Sequence, residues 1–93
     1  MAKEFIVDAP NPEVTFPQIQ RWAAANGFQL NGSASAGNFR GKPGGIEGML
    51  IGEIIGNYTV SGGRATILVN KDLPAGIVGE RLSRFGLRLI GSR

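Results

Sequence analysis

The clearest hydrophobic pattern lies in "NYTVSGGRATILV", where apolar and polar residues alternate on both sides of a glycine pair. Gly62-Gly63 suits a two-residue hairpin turn, in which both central positions take positive φ. That turn sets Ser61 opposite Arg64, Val60 opposite Ala65, Tyr58 opposite Ile67 and Gly56 opposite Val69. One face then carries Tyr58, Val60, Ala65, Ile67 and Val69; the other carries Asn57, Thr59, Thr66 and Leu68. This is the division expected of an antiparallel sheet buried on one side.

Upstream, "GGIEGMLIGEIIGNY" supports two strand readings. A single strand from Ile46 to Val60 exceeds the usual length of about 3–10 residues. A turn at Gly52-Glu53 instead gives strands over 46–51 and 54–61, and is preferred. It places Met49 and Ile51 on the core face with Ile54 and Tyr58. It leaves Ile46, Leu50 and Ile55 together on the opposite face, a candidate partner surface.

Elsewhere "KEFIVD" reads as a strand, with Phe5 and Val7 on one face. Phe16, Ile19, Trp22 and Ala23 recur at helical spacing. A capping box at Thr15 and Gln18 starts this helix, Pro17 falls in its first turn, and Asn26-Gly27 ends it, so it covers about 15–26. A second helix is predicted over 73–85. Asp72 is its N-cap, and Ile77, Val78, Leu82 and Phe85 form its apolar stripe. "GFQLNGS" after the first helix and "GLRLIGS" after the second share a pattern. If the pattern is a duplicated unit, a strand follows the second helix; if not, that helix frays after Gly86.

These elements predict a single α+β domain over 1–93. It has an antiparallel sheet of about five strands with two helices on one face, in the order β-α-β-β-β-β-α, with or without a short last strand. The helix stripes cover the face bearing Tyr58, Ile67 and Val69.

Composition narrows the chemistry. The 93 residues include no cysteine and no histidine. Disulfides, thiolate nucleophiles and the commonest general base and metal ligand are therefore absent. The spacing of the carboxylates brings no two of them together for acid–base work and makes no cluster for magnesium or calcium. A non-enzyme without cofactor or metal is expected. No signal-peptide pattern and no apolar run of about 20 residues is found, so a cytoplasmic protein is expected.

Charge adds a second functional reading. Net charge is +3. Residues 1–31 carry two bases and three acids, whereas residues 32–93 carry eight bases and four acids. The candidate nucleic-acid contacts are Phe39, Arg40, Lys42, Arg81, Arg84 and Arg88, with Phe39 stacking a base beside its basic neighbours. Gly41-Lys42-Pro43-Gly44 has the spacing of a GxxG clamp, but such a clamp joins two helices and proline removes one of its donors. The first expectation is a non-catalytic binding or assembly module, a homo-oligomer or a protein's partner. Nucleic-acid binding is the alternative.

Three segments carry a family resemblance: Gly45-Ile46-Glu47-Gly48, the hairpin through "NYTVSGGRATILV", and "KDLP" at the start of the last helix. Over roughly residues 37–85 the chain resembles small bacterial proteins of the polyhydroxyalkanoic acid system type. The resemblance implies a helix-grip or TATA-binding-protein-like α+β fold without catalysis.

Overall fold

The computed structural model describes residues 3–44 and 49–93. Strands β1 (Lys3–Asp8), β2 (Phe28–Gly32), β3 (Ala36–Gly41), β4 (Ile54–Ser61), β5 (Arg64–Val69) and β6 (Leu89–Ser92) form one antiparallel sheet in the order β2-β3-β4-β5-β1-β6. Helices α1 (Pro12–Ala25) and α2 (Ala75–Ser83) supply the buried layer on one face. The α+β layout follows the sequence reading, and the strand after the second helix is present as β6. β2 and β6, which carry the two similar heptapeptides, end up as the two edges of the sheet.

The β4–β5 hairpin has the expected register, with Ser61 opposite Arg64 and Gly56 opposite Val69. Gly62 and Gly63 have φ of 59° and 78°, a conformation that costs glycine nothing and other residues about 1 kcal/mol or more. Strict alternation along β4 buries Ile54, Tyr58 and Val60 and turns Ile55, Asn57 and Thr59 outward.

Two glycines let aromatic rings lie flat across β3 and β4. Phe39 pairs with Gly56, and Tyr58 pairs with Gly37. A Cβ on Gly56 would stand 2.4 Å from Phe39 Cζ, and one on Gly37 would stand 2.5 Å from the Tyr58 hydroxyl. The two pairs are reciprocal: each strand gives one ring and one glycine. The Tyr58 hydroxyl reaches past Gly37 and donates to the Ser33 carbonyl at 2.8 Å. Burial pushes its pKa above the ordinary value for a phenol.

Both helix starts differ from the sequence reading. α1 begins at Pro12, with Asn11 as its cap; the Asn11 side chain accepts from the Glu13 N–H at 3.2 Å. Asparagine followed by proline at the first helical position outcompetes Thr15 and Gln18. Thr15 is instead buried within the helix, its hydroxyl donating to the Asn11 carbonyl. Pro17 therefore lies inside the helix rather than in its first turn. α2 begins at Ala75 and is capped by Pro74 without a side-chain bond. Asp72 pairs with Lys3 at 3.3 Å instead of capping the helix.

The preferred strand over 46–51 is also corrected over its described part, residues 49–51. Residues 49–51 are helical, Gly52 follows with φ of 79°, and β4 starts at Ile54. Glycine alternating with large apolar residues at Gly48, Leu50, Gly52, Ile54 and Gly56 fits both a two-residue and a near-four-residue period, and over 49–51 the helical one prevails. Met49, expected in the core, is 81% exposed. Residues 45–48, which include Ile46 and are all four of the residues that open the resemblance above, lie outside the described residues.

Candidate ligand cavity and the faces around it

The helices and the sheet do not close on one another completely. Between them lies a cavity of about 340 Å³. Its floor is the covered sheet face: Phe5 of β1, Phe39 of β3, Ile54 of β4, and Ile67 and Val69 of β5. Trp22 of α1 and Asn26, which caps that helix, form one wall. Leu73, Pro74, Ile77 and Val78 form another, at the start of α2. Pro43 and Ile51 border it from the connection between β3 and β4.

An aromatic cluster shapes the α1 side. The Trp22 ring meets Phe28 edge-on at 5.5 Å between centroids and Phe39 at 5.3 Å. Phe28 and Phe39 lie 5.4 Å apart. Rigid rings with few torsions hold a concave wall open better than flexible aliphatic chains do. Gly56 permits this geometry because it leaves room for the Phe39 ring over β4.

Polar groups meet the cavity at one place. Asn26 caps α1, its side-chain N–H donating to the Trp22 carbonyl at 2.8 Å. This turns its Oδ1 toward Arg81 of α2, which donates to it at 3.5 Å. A cation near the C-terminal end of α1 is favoured by the helix dipole. Among the described residues that line the cavity, Arg81 is the only charged one.

The proposed partner surface is dispersed. Leu50 belongs to the helical segment and is 81% exposed, whereas Ile55 sits on the helix-free face of β4 and is 48% exposed. Ile46 lies outside the described residues. Leu50 and Ile55 thus do not form a strand-borne row, because the turn that would have aligned them is the end of a helical segment.

The proposed nucleic-acid contacts are also separated. Phe39 is 1% exposed and points into the core, while Arg40 projects from the other face of β3. Successive residues in a strand point to opposite faces, so this pair cannot stack a base and hold its phosphate together. Arg40 donates to Glu53 at 3.0 Å on the helix-free face. Arg84 pairs with Glu80 at 2.9 Å, the pairing expected from their spacing, and Arg88 lies 3.8 Å from Asp8. Lys42 is exposed in the connection after β3. The described part of that connection leads from a strand, not from the helix a GxxG clamp requires.

Among the described residues no helix is long and apolar enough to cross a membrane, and no group of three acidic residues is placed to hold a metal ion. Comparison with protein-family models, with curated proteins and with solved structures finds no match.

Sequence reasoning identified most of the cavity's residues but read them as solid core. Trp22, Ile67, Val69, Ile77 and Val78 all belong to predicted apolar stripes. Whether opposing stripes touch depends on how far α2 stands from the sheet, which periodicity does not encode.

Proposed function

We propose that this chain is a non-catalytic binding module that holds one small apolar molecule between its helices and its sheet. The observation that carries this reading is the cavity itself. Its volume of about 340 Å³ lies within the range of roughly 300–1,000 Å³ typical of ligand sites. Its wall is aromatic and aliphatic, with hydrogen-bonding groups gathered at Asn26 and Arg81. That combination, an apolar wall with a few converging polar groups, is the usual composition of a small-molecule site. Ile77, 54% exposed yet part of the lining, marks a side on which the cavity reaches the surface.

Trp22 is the only tryptophan and lies in the wall, so its fluorescence reports occupancy directly. Titration with biphenyl is expected to change Trp22 emission saturably, with one molecule bound per chain. Val78→Phe, which fills the cavity from α2, is expected to abolish the change while the far-ultraviolet circular dichroism stays the same. Equal binding by the filled variant contradicts the proposal.

Self-association is a second reading, favoured by one observation. Met49 and Leu50 are neighbouring large apolar side chains, each 81% exposed. A dimer that Leu50→Asp splits without unfolding supports it. A monomeric mass at high concentration removes it and leaves the cavity reading intact.

A further inference from the structure

We infer that a second copy of this chain docks along the free edge of β2. The two β2 strands pair antiparallel about a two-fold axis at Leu30. This dimer uses other residues than the Met49–Leu50 reading of self-association, and it does not depend on the cavity holding a ligand.

The backbone carries the argument first. β2 is an outer strand of the sheet and pairs only with β3. The Ser33 N–H donates to the Ala36 carbonyl at 2.8 Å, one step beyond the Gly32–Gly37 pair. Hydrogen-bonded pairs alternate along an antiparallel ladder, so Asn31–Asn38 and Gln29–Arg40 bond in the same way. Phe28, Leu30 and Gly32 therefore turn their N–H and C=O groups away from β3. No described residue hydrogen-bonds to those groups. Such a row is a template for another strand.

The two edges of the sheet differ. β6 carries the usual protections against pairing: it has four residues, its register shifts against β1, and Arg88 and Arg93 flank it. β2 has five residues in unbroken register with β3, and neither proline nor charge. Residues 22–39 hold no charged side chain, the longest such run in the sequence. An uncharged edge has no means of selecting a charged peptide, but it is complementary to itself. Centred on Leu30, the pairing sets Gln29 against Asn31 of the second copy, both exposed amides. It sets Phe28 against Gly32, an aromatic-opposite-glycine pairing that β3 and β4 already make twice. Leu30 meets its own counterpart, and the half-buried Phe28 and Leu30 gain cover. All three outward-facing residues then bond across the junction, giving about six backbone hydrogen bonds. One patch serves both copies, so the interface closes as a dimer, and the protected β6 edges stop further growth.

The test combines sedimentation equilibrium with amide hydrogen exchange on the full chain. The wild type is expected to sediment as a dimer that dissociates on dilution. Dilution is expected to speed exchange at the N–H groups of Phe28, Leu30 and Gly32, and to leave Gln29 and Asn31, already bonded to β3, nearly unchanged. Two double variants fix the register. Gln29→Glu with Asn31→Glu sets like charges opposite each other at both crossings, and Gln29→Glu with Asn31→Lys sets opposite charges there. Both put the same acid beside Arg40, and residue 31 lies beside the uncharged Asn38 within the chain. The first is expected to dissociate at least about tenfold more readily than the second. Unchanged far-ultraviolet circular dichroism reports an intact fold. A monomeric wild type, exchange at Phe28, Leu30 and Gly32 that ignores concentration, or equal dissociation of the two variants overturns the inference. Leu50→Asp is expected to leave the dimer intact; if it splits the dimer, association belongs to Met49 and Leu50 and the β2 edge is overturned.

Discussion

Phe39 and Gly56 face each other across β3 and β4, and the phenyl ring occupies the space that a side chain on Gly56 would need. One of the glycines that punctuate the middle of the sequence thus makes room for an aromatic ring that floors the cavity. Gly56→Ala puts a methyl 2.4 Å from Phe39 Cζ and 2.7 Å from the Leu68 carbonyl. The ring has to move into the cavity. The expected cost is about 1–3 kcal/mol, measured by urea unfolding. Adding Phe39→Leu should recover part of it, because the two sites are coupled. Additive losses would show that the ring is not what resists the methyl.

The reciprocal pair, Tyr58 over Gly37, gives a pH signature. Tyr58 is the only tyrosine, so phenolate absorbance follows it alone. Its folded-state pKa is raised by burial, so the native chain holds this proton more tightly than the unfolded chain does. Its contribution is complete below the unfolded phenol pKa of about 10 and is lost as pH rises through the higher folded value. Tyr58→Phe is expected to cost about 1 kcal/mol near neutral pH through the lost bond to Ser33, and to flatten this alkaline decline. A phenolate that appears at the ordinary pH in the folded protein contradicts the burial argument.

Pro17 offers a gain in stability. It sits inside α1, where it leaves the Glu13 carbonyl without its usual helical donor. Proline costs about 3 kcal/mol relative to alanine in a helix interior. Its ring is half-buried, so lost packing offsets part of the gain. Pro17→Ala is expected to raise stability by about 1–2 kcal/mol in thermal or urea unfolding. A loss on substitution would mean that the ring's packing outweighs the backbone defect.

The exposed and buried leucines should separate cleanly. Leu50→Asp is expected to change stability by no more than about 0.5 kcal/mol, as for other exposed positions. Leu82→Ala removes a fully buried side chain of α2 and is expected to cost about 2–5 kcal/mol. A large loss from Leu50→Asp would place that residue in packing that its exposure does not show.

Legibility in the sequence followed how strongly a local signal was pinned. Two glycines fixed one hairpin turn, and period-two alternation then carried the register of β4 and β5 without further help. The start of α1 was harder, because Asn11-Pro12 and Thr15-Gln18 are both good starting signals. The Asn11 side chain caps the Glu13 N–H, and Thr15 is buried within the helix. The segment before β4 was ambiguous because its glycines and isoleucines satisfy two periods at once. Phe39 and Arg40 were read as neighbours on one surface, although strand alternation already separates them. The cavity was the least legible feature. Trp22, Val69 and Val78 are apolar whether or not the space between them is filled.

The most direct measurement is the set of nuclear Overhauser contacts between bound biphenyl and the protein's side chains. The cavity reading predicts contacts to Trp22, Phe39, Ile67 and Val78, at one ligand per chain. Contacts confined to Met49, Leu50 and Ile55, with the signals of Trp22 and Ile67 unchanged, would contradict it.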